Sequence, residues 1–295
     1  MTKRLFLFAG FDKDNIIDNT LIYYINELSR FGDIVFVADN NLPHNEIKKI
    51  SNIPNVLHAE STKHNEYDFG SYKRAYLWAK NNKILNNYDW FYFVNDSVYG
   101  PLYDIKLILE KLEKSGTDLT GMVSSHDDCT PIHAQSWFVG ITKKVLKSTF
   151  FDKFITNVKK LEKKNRICLK YEVGLSNLIL RHGFEMKTII DTTGDTVYRD
   201  PRYALINGVP FIKKNAIANI RKMYFLYSYV DDDKILDYID SHMKRHNMGF
   251  IKDDYHLYYE FRFLKIPIVR ITSKNNKSFR VYIFGKLPII KIIRQ

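Results

Sequence analysis

The residues of this chain that could do chemistry begin with Asn95-Asp96-Ser97, a carboxylate between two short polar side chains. Oxygen donors of this kind suit a hard cation such as Mg²⁺ or Mn²⁺, which is commonly held by one or two carboxylates together with substrate phosphates. The same three residues also make an ordinary strand-end turn. Upstream lies Tyr67-Asp68-Phe69-Gly70, with Lys73 and Arg74 close behind. Asp68 there is either a helix N-cap or part of a phosphate site, because a glycine-assisted helix start can bring backbone N–H groups near an anion. Cations at a helix start oppose its dipole, which suggests that Lys73 or Arg74 serves a negative ligand. Further on, His126, Asp127 and Asp128 are candidate metal ligands or sugar contacts, and are equally compatible with a solvated loop. Gln135 and Trp137 sit on a stretch that carries polar groups into a site. Glu172, expected in the first turn of a helix, is either a dipole-stabilising carboxylate or a general base.

These groups need elements to hold them. Trp90 to Val94 is a continuous apolar and aromatic run directly before Asn95, the pattern of a strand buried on both faces. Ligands of open α/β sheets bind beyond the carboxyl ends of such strands. Leu5 to Ala9 and Asp33 to Ala38 read as two more buried strands, and Asn55 to His58 as a weaker one. Between them, Leu21, Tyr24, Ile25, Leu28 and Phe31 keep helical spacing, and Pro43 opens a short helix. The β-α-β-α-β alternation predicts a parallel, nucleotide-binding type of sheet. Expected beyond it are a helix over 102–115, strands over 118–123, 132–141 and 186–190, a helix over 171–183, a loop over 198–214 and a mostly helical stretch over 217–248. Asp68 is expected just before an amphipathic helix that carries Tyr72, Ala75, Tyr76 and Ala79 on one face.

With 295 residues, 45% of them hydrophobic and 15% aromatic, the chain can bury a sizeable core and is not a disordered polymer. Cys129 and Cys168 are too few for a disulfide framework, which fits a reducing compartment. No apolar run reaches the ~20 residues of a membrane span. The formal net charge is +12, and residues 261–295 hold nine basic residues and no acidic one. Within this tail Phe263-Leu264-Lys265-Ile266-Pro267-Ile268-Val269-Arg270-Ile271 is echoed by Phe284-Gly285-Lys286-Leu287-Pro288-Ile289-Ile290-Lys291-Ile292. A turn at Ser273–Lys277 suggests that the two copies pair as a basic hairpin. That hairpin either packs on the main domain or docks on an anionic membrane surface. A nucleic-acid partner is not expected, since no motif of that class is present and the charge sits in the tail.

Four motifs in order, Tyr67-Asp68-Phe69-Gly70, Tyr88-Asp89 through Asn95-Asp96-Ser97-Val98-Tyr99-Gly100-Pro101, Gln135-Ser136-Trp137-Phe138 and Tyr171-Glu172-Val173, resemble the rhamnan synthesis protein F family. These are bacterial glycosyltransferases that build cell-surface polysaccharide, and the resemblance covers about residues 5 to 190. It implies an α/β fold, a GT-A-like, Rossmann-type mixed sheet flanked by helices, followed by a helical region and a small basic C-terminal β-hairpin. The corresponding domains are 1–215, 216–252 and 253–295. In GT-A enzymes an Asp-x-Asp at a strand end binds the cation that bridges the donor diphosphate. Asn95-Asp96-Ser97 stands in that place with Asp96 as the single carboxylate and implied ligand of Mn²⁺ or Mg²⁺. Asp68, Gly70, Lys73, Asn95 and Ser97 would lie at the nucleotide-diphosphate sugar. Aligned on Gly183, Glu172 falls on the catalytic base of inverting GT-A enzymes, with His126, Asp127, Gln135 and Trp137 toward the acceptor. The implied activity is transfer of rhamnose or another hexose to a growing cell-surface polysaccharide or lipid-linked glycan, in the cytoplasm, with residues 261–295 at the inner face of the plasma membrane. The alternative is a non-catalytic nucleotide-sugar-binding scaffold of a polysaccharide assembly complex.

Overall fold

The computed structural model describes residues 2–220, 226, 229–248, 256–263, 266–274, 278–283 and 287–293. The chain divides into two compact units, Met1–Lys214 and Asn215–Gln295.

The first unit is built on one mixed sheet. Its first half alternates as the hydrophobic pattern predicts: β1 (Arg4–Gly10), α1 (Asn19–Ser29), β2 (Asp33–Ala38), α2 (His44–Ser51), β3 (Val56–Ser61), α3 (Tyr67–Asn81) and β4 (Trp90–Asn95). There follow β5 (Val98–Tyr99), α4 (Lys106–Glu113), β6 (Leu119–His126), β7 (His133–Ala134), β8 (Phe138–Thr142), α5 (Lys143–Leu146) and α6 (Thr149–Thr156). The unit ends with α7 (Lys164–Ile167), a π-helical turn (Cys168–Val173), α8 (Gly174–Arg181), β9 (Met186–Thr193), α9 (Thr196–Arg199), α10 (Pro201–Ile206) and β10 (Ile212–Lys213).

Strand order is β3-β2-β1-β4-β8-β6-β7, with β9 on β6. β1 runs parallel to β2 and β4, and β2 parallel to β3. β8 is antiparallel to both β4 and β6, so β6 points the same way as β4, and β9 is parallel to β6. The carboxyl ends of β1, β2, β3, β4, β6 and β9 therefore open on one edge of the sheet, which is where ligands of such sheets bind.

The continuous apolar runs reflect burial on two faces. Phe6, Phe8, Phe36, Tyr92 and Val94 enter one core layer. Their neighbours Leu5, Leu7, Val35, Phe91 and Phe93 enter the other. Each such side chain removed from water contributes about 1.5–3 kcal/mol, and β1, β2 and β4 alternate between two layers that are both covered by helices. The first helix begins where Asp18 accepts from the N–H groups of Thr20 and Leu21 at 3.1 and 3.2 Å. This is an ordinary N-cap.

Several elements differ from expectation. The helix expected over 102–115 is shorter, Lys106–Glu113. The strand expected over 132–141 is broken into β7 and β8 by a turn at Ser136-Trp137. The 198–214 stretch holds two short helices and β10, which pairs antiparallel with β5. The helical segment around Glu172 starts at Lys164, so Glu172 is not in a first turn and the dipole argument does not apply to it. The run of lysines before it hides the amphipathic pattern.

α11 (Lys214–Ile220) starts on the last residue of the first unit, and the second unit contains the rest of it, α12 (Lys234–Arg245) and the strands β11 (His256–Phe263), β12 (Ile266–Lys274), β13 (Ser278–Ile283) and β14 (Leu287–Ile293). The strands form an antiparallel sheet in sequence order, so the expected hairpin is extended to four strands. The two repeat copies supply β12 and β14, which both pair with β13 and not with each other. Residues 221–225 and 227–228 of the expected helical stretch lie outside the described residues. So do Lys265, Lys277, Lys286 and Arg294 of the basic tail and most of the turn expected at Ser273–Lys277.

Candidate functional site

The central strand ends in a hydrogen-bonded turn. Asn95 is only 2% exposed, and its Nδ2 donates to Asp68 Oδ2 at 2.9 Å. Its Oδ1 accepts from the Ser97 N–H at 3.0 Å and the Ser97 hydroxyl at 2.6 Å. The ladder closes with Asn95 N donating to Trp137 O and Asp96 N to Ala9 O. Asp96 Oδ2 accepts from the Phe11 N–H at 3.1 Å, which turns the carboxylate toward the loop after β1. Burial, and then the Asp96 charge, push the Tyr24 hydroxyl well above its usual pKa. Asp68, Asn95, Asp96 and Ser97, expected together from sequence, are thus brought together. Asp68 does not cap α3: the cap position is Glu66, with no side-chain cap bond, and Asp68 lies in the first turn.

Gly70 and Lys73 are placed differently from expectation. Gly70 is buried, and a Cβ there would stand 2.3 Å from Glu66 Cβ and 2.7 Å from the His64 ring. Its missing side chain allows this close approach of the loop before α3. Lys73 Nζ donates to Glu66 Oε1 and to the Val158 carbonyl, each at 2.8 Å. Arg74 also pairs with Glu66 and bonds the Gly70 carbonyl at 2.9 Å. The unfavourable dipole position of both cations is therefore offset inside the protein by Glu66. Burial first, then Arg74, lower the His64 pKa to about 4.

The second half of the site is Glu172. Its Oε2 accepts from the Ser136 N–H at 2.8 Å and also from the Ser136 hydroxyl. Its Oε1 lies 3.9 Å from His133 Nε2. A π-helical turn carries it, a distortion often found at functional sites. A tyrosine is bonded to the turn that holds Glu172. Tyr72 donates to the Ser136 carbonyl at 2.9 Å. Burial, and then the charge of Asp68, raise its pKa, with Glu172 adding to the rise. For Tyr198, burial acts first, followed by Glu172, with Asp68 among the further contributors. Both hydroxyls thus lie within electrostatic reach of both carboxylates.

Gln135 and Trp137 support the site from beneath. They are 5% and 3% exposed, and Trp137 Nε1 donates to Gln135 Oε1 at 2.8 Å. That bond engages the Trp137 N–H and one lone pair of the Gln135 oxygen. His126 and Asp127 do lie at the open carboxyl end of β6. His126 Nδ1 stands 3.7 Å from Asp191 Oδ1 at the end of β9. Asp127 Oδ1 accepts from the Cys129 N–H at 2.8 Å, and that bond holds its pKa below the usual carboxylate range. It caps its own loop. Among the described residues no three His, Cys, Asp or Glu side chains converge as a metal cluster. The oxygen chemistry of Asp96 nonetheless fits Mg²⁺ or Mn²⁺ whose remaining ligands come from phosphates.

Three participants escaped sequence reasoning. Ser136 binds Glu172, Tyr198 has its ring 5.1 Å from the Lys213 ammonium, and Lys213 Nζ donates to Ser97 Oγ at 3.0 Å. Lys213 is one of 45 lysines and arginines and lies far downstream in a stretch read as a loop, so no local pattern marks it.

A family model described as rhamnan synthesis protein F matches residues 34–253. No curated protein matches the chain. Among solved structures, one similar to it is core-mannan synthase A from Aspergillus fumigatus in a Mn/GDP form, at 11% identity over 61% of this chain and 69% of that chain, with a TM-score of 0.35. The mannosyltransferase Ktr4p from S. cerevisiae in complex with GDP gives 10% identity, 59% and 65% coverage and a TM-score of 0.35. The glycosyltransferase GlyE of Streptococcus pneumoniae gives 13% identity, 86% and 66% coverage and a TM-score of 0.41. In each case the match spans about two thirds of the other chain.

Proposed function

We propose that this chain, which belongs to the rhamnan synthesis protein F family, is a glycosyltransferase that moves a hexose such as rhamnose from a nucleotide-diphosphate donor to a glycan acceptor with inversion. The observation that carries this reading is that two consecutive residues of one turn hold both carboxylate stations, Ser136 bonding Glu172 and the Trp137 carbonyl accepting from the N–H of Asn95, next to Asp96. Asp96 stands in the hydrogen-bonded turn after β4, and Glu172 is held by both donors of Ser136. Tyr72 and Tyr198 feel the charges of Asp68 and Glu172 together.

In this reading the donor diphosphate lies over Asn95-Asp96-Ser97, with Asp96 as the protein ligand of a divalent cation that would supply positive charge to the phosphates. Glu172 takes the proton of the acceptor hydroxyl as its oxygen attacks the anomeric carbon. Ser136 fixes one carboxylate oxygen and so orients the other. The acceptor, a polysaccharide or lipid-linked glycan, enters from the side of His126 at the end of β6. Among the described residues no helix is long and apolar enough to cross a membrane. A cytoplasmic enzyme whose basic residues 261–295 meet an anionic inner membrane face is the arrangement that fits a lipid-linked acceptor.

A thermal-shift panel of nucleoside diphosphates and nucleotide sugars, with and without Mn²⁺, tests the reading on wild type and Asp96→Ala. A ligand at 100 times its Kd stabilises the native state by about 2.7 kcal/mol, which is visible in Tm. The expected result is a rise for one nucleotide family that Asp96→Ala diminishes. If no nucleotide or nucleotide sugar moves the wild-type Tm, the donor-site reading falls, and the nucleotide-sugar-binding scaffold falls with it.

A further inference from the structure

We infer that Lys213 is the built-in cation of the donor site, set against the strand-end turn to take the charge of the leaving diphosphate. This rests on the donor-site reading given above. Lys213 closes β10, whose register against β5 is Ile212↔Tyr99 and Lys213↔Val98. The following residue, Lys214, donates its N–H to the Ser97 carbonyl at 3.0 Å. Backbone pairing thus seats the lysine beside Ser97, and its Nζ donates to Ser97 Oγ at 3.0 Å. That hydroxyl is oriented in turn by its bond to Asn95 Oδ1. The ammonium also lies over the rings of Trp137 at 5.3 Å and Tyr198 at 5.1 Å, and Lys213 is 8% exposed.

Gly100 makes this approach possible. Its φ is +138°, and a Cβ there would stand 2.6 Å from the Pro210 carbonyl oxygen and 2.7 Å from the Phe211 ring. Leu102 N donates to that same carbonyl at 2.8 Å. The glycine that follows Asn95-Asp96-Ser97 at short spacing therefore leaves room for the segment that carries Lys213. A shape requirement in the motif and a charge from more than a hundred residues downstream converge on one hydroxyl. Taking an ammonium out of bulk water is costly, and aromatic faces with oriented hydroxyls are the kind of surroundings that offset it.

The chemistry explains the need. In a nucleotide-diphosphate sugar each phosphate carries one negative charge. During transfer the acceptor oxygen bonds to the anomeric carbon, and its proton passes to Glu172. The bond from that carbon to the terminal phosphate oxygen breaks, with the electron pair staying on the phosphate. The released diphosphate thus carries one more negative charge than it did as donor. A fixed cation in a partly dry site favours that change without reorganising at the moment of reaction.

The test is calorimetric titration of the full chain with UDP, GDP and dTDP and with uridine, guanosine and thymidine. Wild type, Lys213→Met and Lys213→Arg are compared in EDTA and again in Mn²⁺. For whichever base binds, Lys213→Met should weaken the diphosphate by about 10- to 100-fold, the range of a charge-assisted hydrogen bond, while the nucleoside stays within about threefold. Lys213→Arg should retain most of the preference for diphosphate. Equal losses of nucleoside and diphosphate would make Lys213 a structural support, and an unchanged diphosphate Kd would remove its role; either result overturns the inference. Lys213→Gln, which keeps a donor for Ser97 Oγ, carries the same comparison should Lys213→Met not fold. A wild type that binds no nucleoside diphosphate in either buffer overturns instead the donor-site reading beneath it.

Discussion

Replacing Asn95 by aspartate would restore a second carboxylate to the strand-end turn, and the structure says that this change should be costly. Asn95 is buried, and its Nδ2 donates to Asp68 Oδ2 at 2.9 Å. Asn95→Asp turns that donor into an acceptor and sets two carboxylate oxygens at the same separation. Two unit charges so close repel by about 6 kcal/mol at an effective dielectric constant of ~20. The pair escapes part of this by binding a proton or moving apart, which leaves a destabilisation of about 3–5 kcal/mol at pH 7. For a unit of this size that is a fall of about 6–20 °C in Tm. The shared proton raises a folded-state carboxyl pKa above its unfolded value. Such a group is neutral below its unfolded pKa, and its stabilising contribution is lost as pH rises through the folded pKa. The deficit should therefore shrink between pH 7 and pH 5. Adding Asp68→Asn should return the missing amide from the other side of the bond. The double variant should then sit within about 1 kcal/mol of wild type, with a coupling energy of about 2–4 kcal/mol in the cycle. Denaturant melts of the four proteins at pH 7 and pH 5 measure this. Additive effects within about 0.5 kcal/mol would refute the Asp68–Asn95 link and the strand-end geometry built on it.

Two further outcomes follow from the same geometry. Glu172→Gln should lower transfer by about 10²- to 10⁴-fold, since it removes the proton acceptor while keeping an oxygen for the two Ser136 donors; transfer kinetics with the donor found by the ligand panel check this, and undiminished turnover would exclude Glu172 as base. His64, its pKa lowered to about 4 mainly by burial, is neutral in the fold and takes a proton more readily when unfolded. Its contribution to stability should be full above pH ~6.5 and lost progressively as pH falls toward 4. Urea melts from pH 7.5 to 5 should show a steeper decline in wild type than in His64→Gln, and parallel curves would show that the ring is not held as described.

The legible part of the molecule was the part written in local pattern. Wholly apolar runs at Leu5–Ala9 and Trp90–Val94 announced strands covered on both sides, because a continuous run has no solvent face. Asn95-Asp96-Ser97 stands out because it is a polar turn directly after such a run. Lys73 misled for the opposite reason. A cation in a first helical turn is locally unfavourable, and only the fold shows Glu66 and the Val158 carbonyl compensating it. Gln135 and Trp137 read as two separate polar contacts in the sequence, while the fold bonds the Trp137 N–H to the Gln135 oxygen. The residue type marks Glu172, but charged residues mask where its helix begins, and the fold starts that helix two turns earlier than the pattern suggests.

What the sequence by itself determined is the sheet, its order of alternation and the position of the polar turn, because strand periodicity and turn chemistry act over a few residues. What only the tertiary structure decided is which distant groups share that turn. The antiparallel return of β8 brings Ser136 to Glu172, the pairing of β10 with β5 brings Lys213 to Ser97, and the space left by Gly100 admits the segment between them. Those contacts join residues more than thirty and more than a hundred positions apart, and their energies depend on burial and on the direction of single lone pairs. Neither quantity exists until the chain has closed on itself.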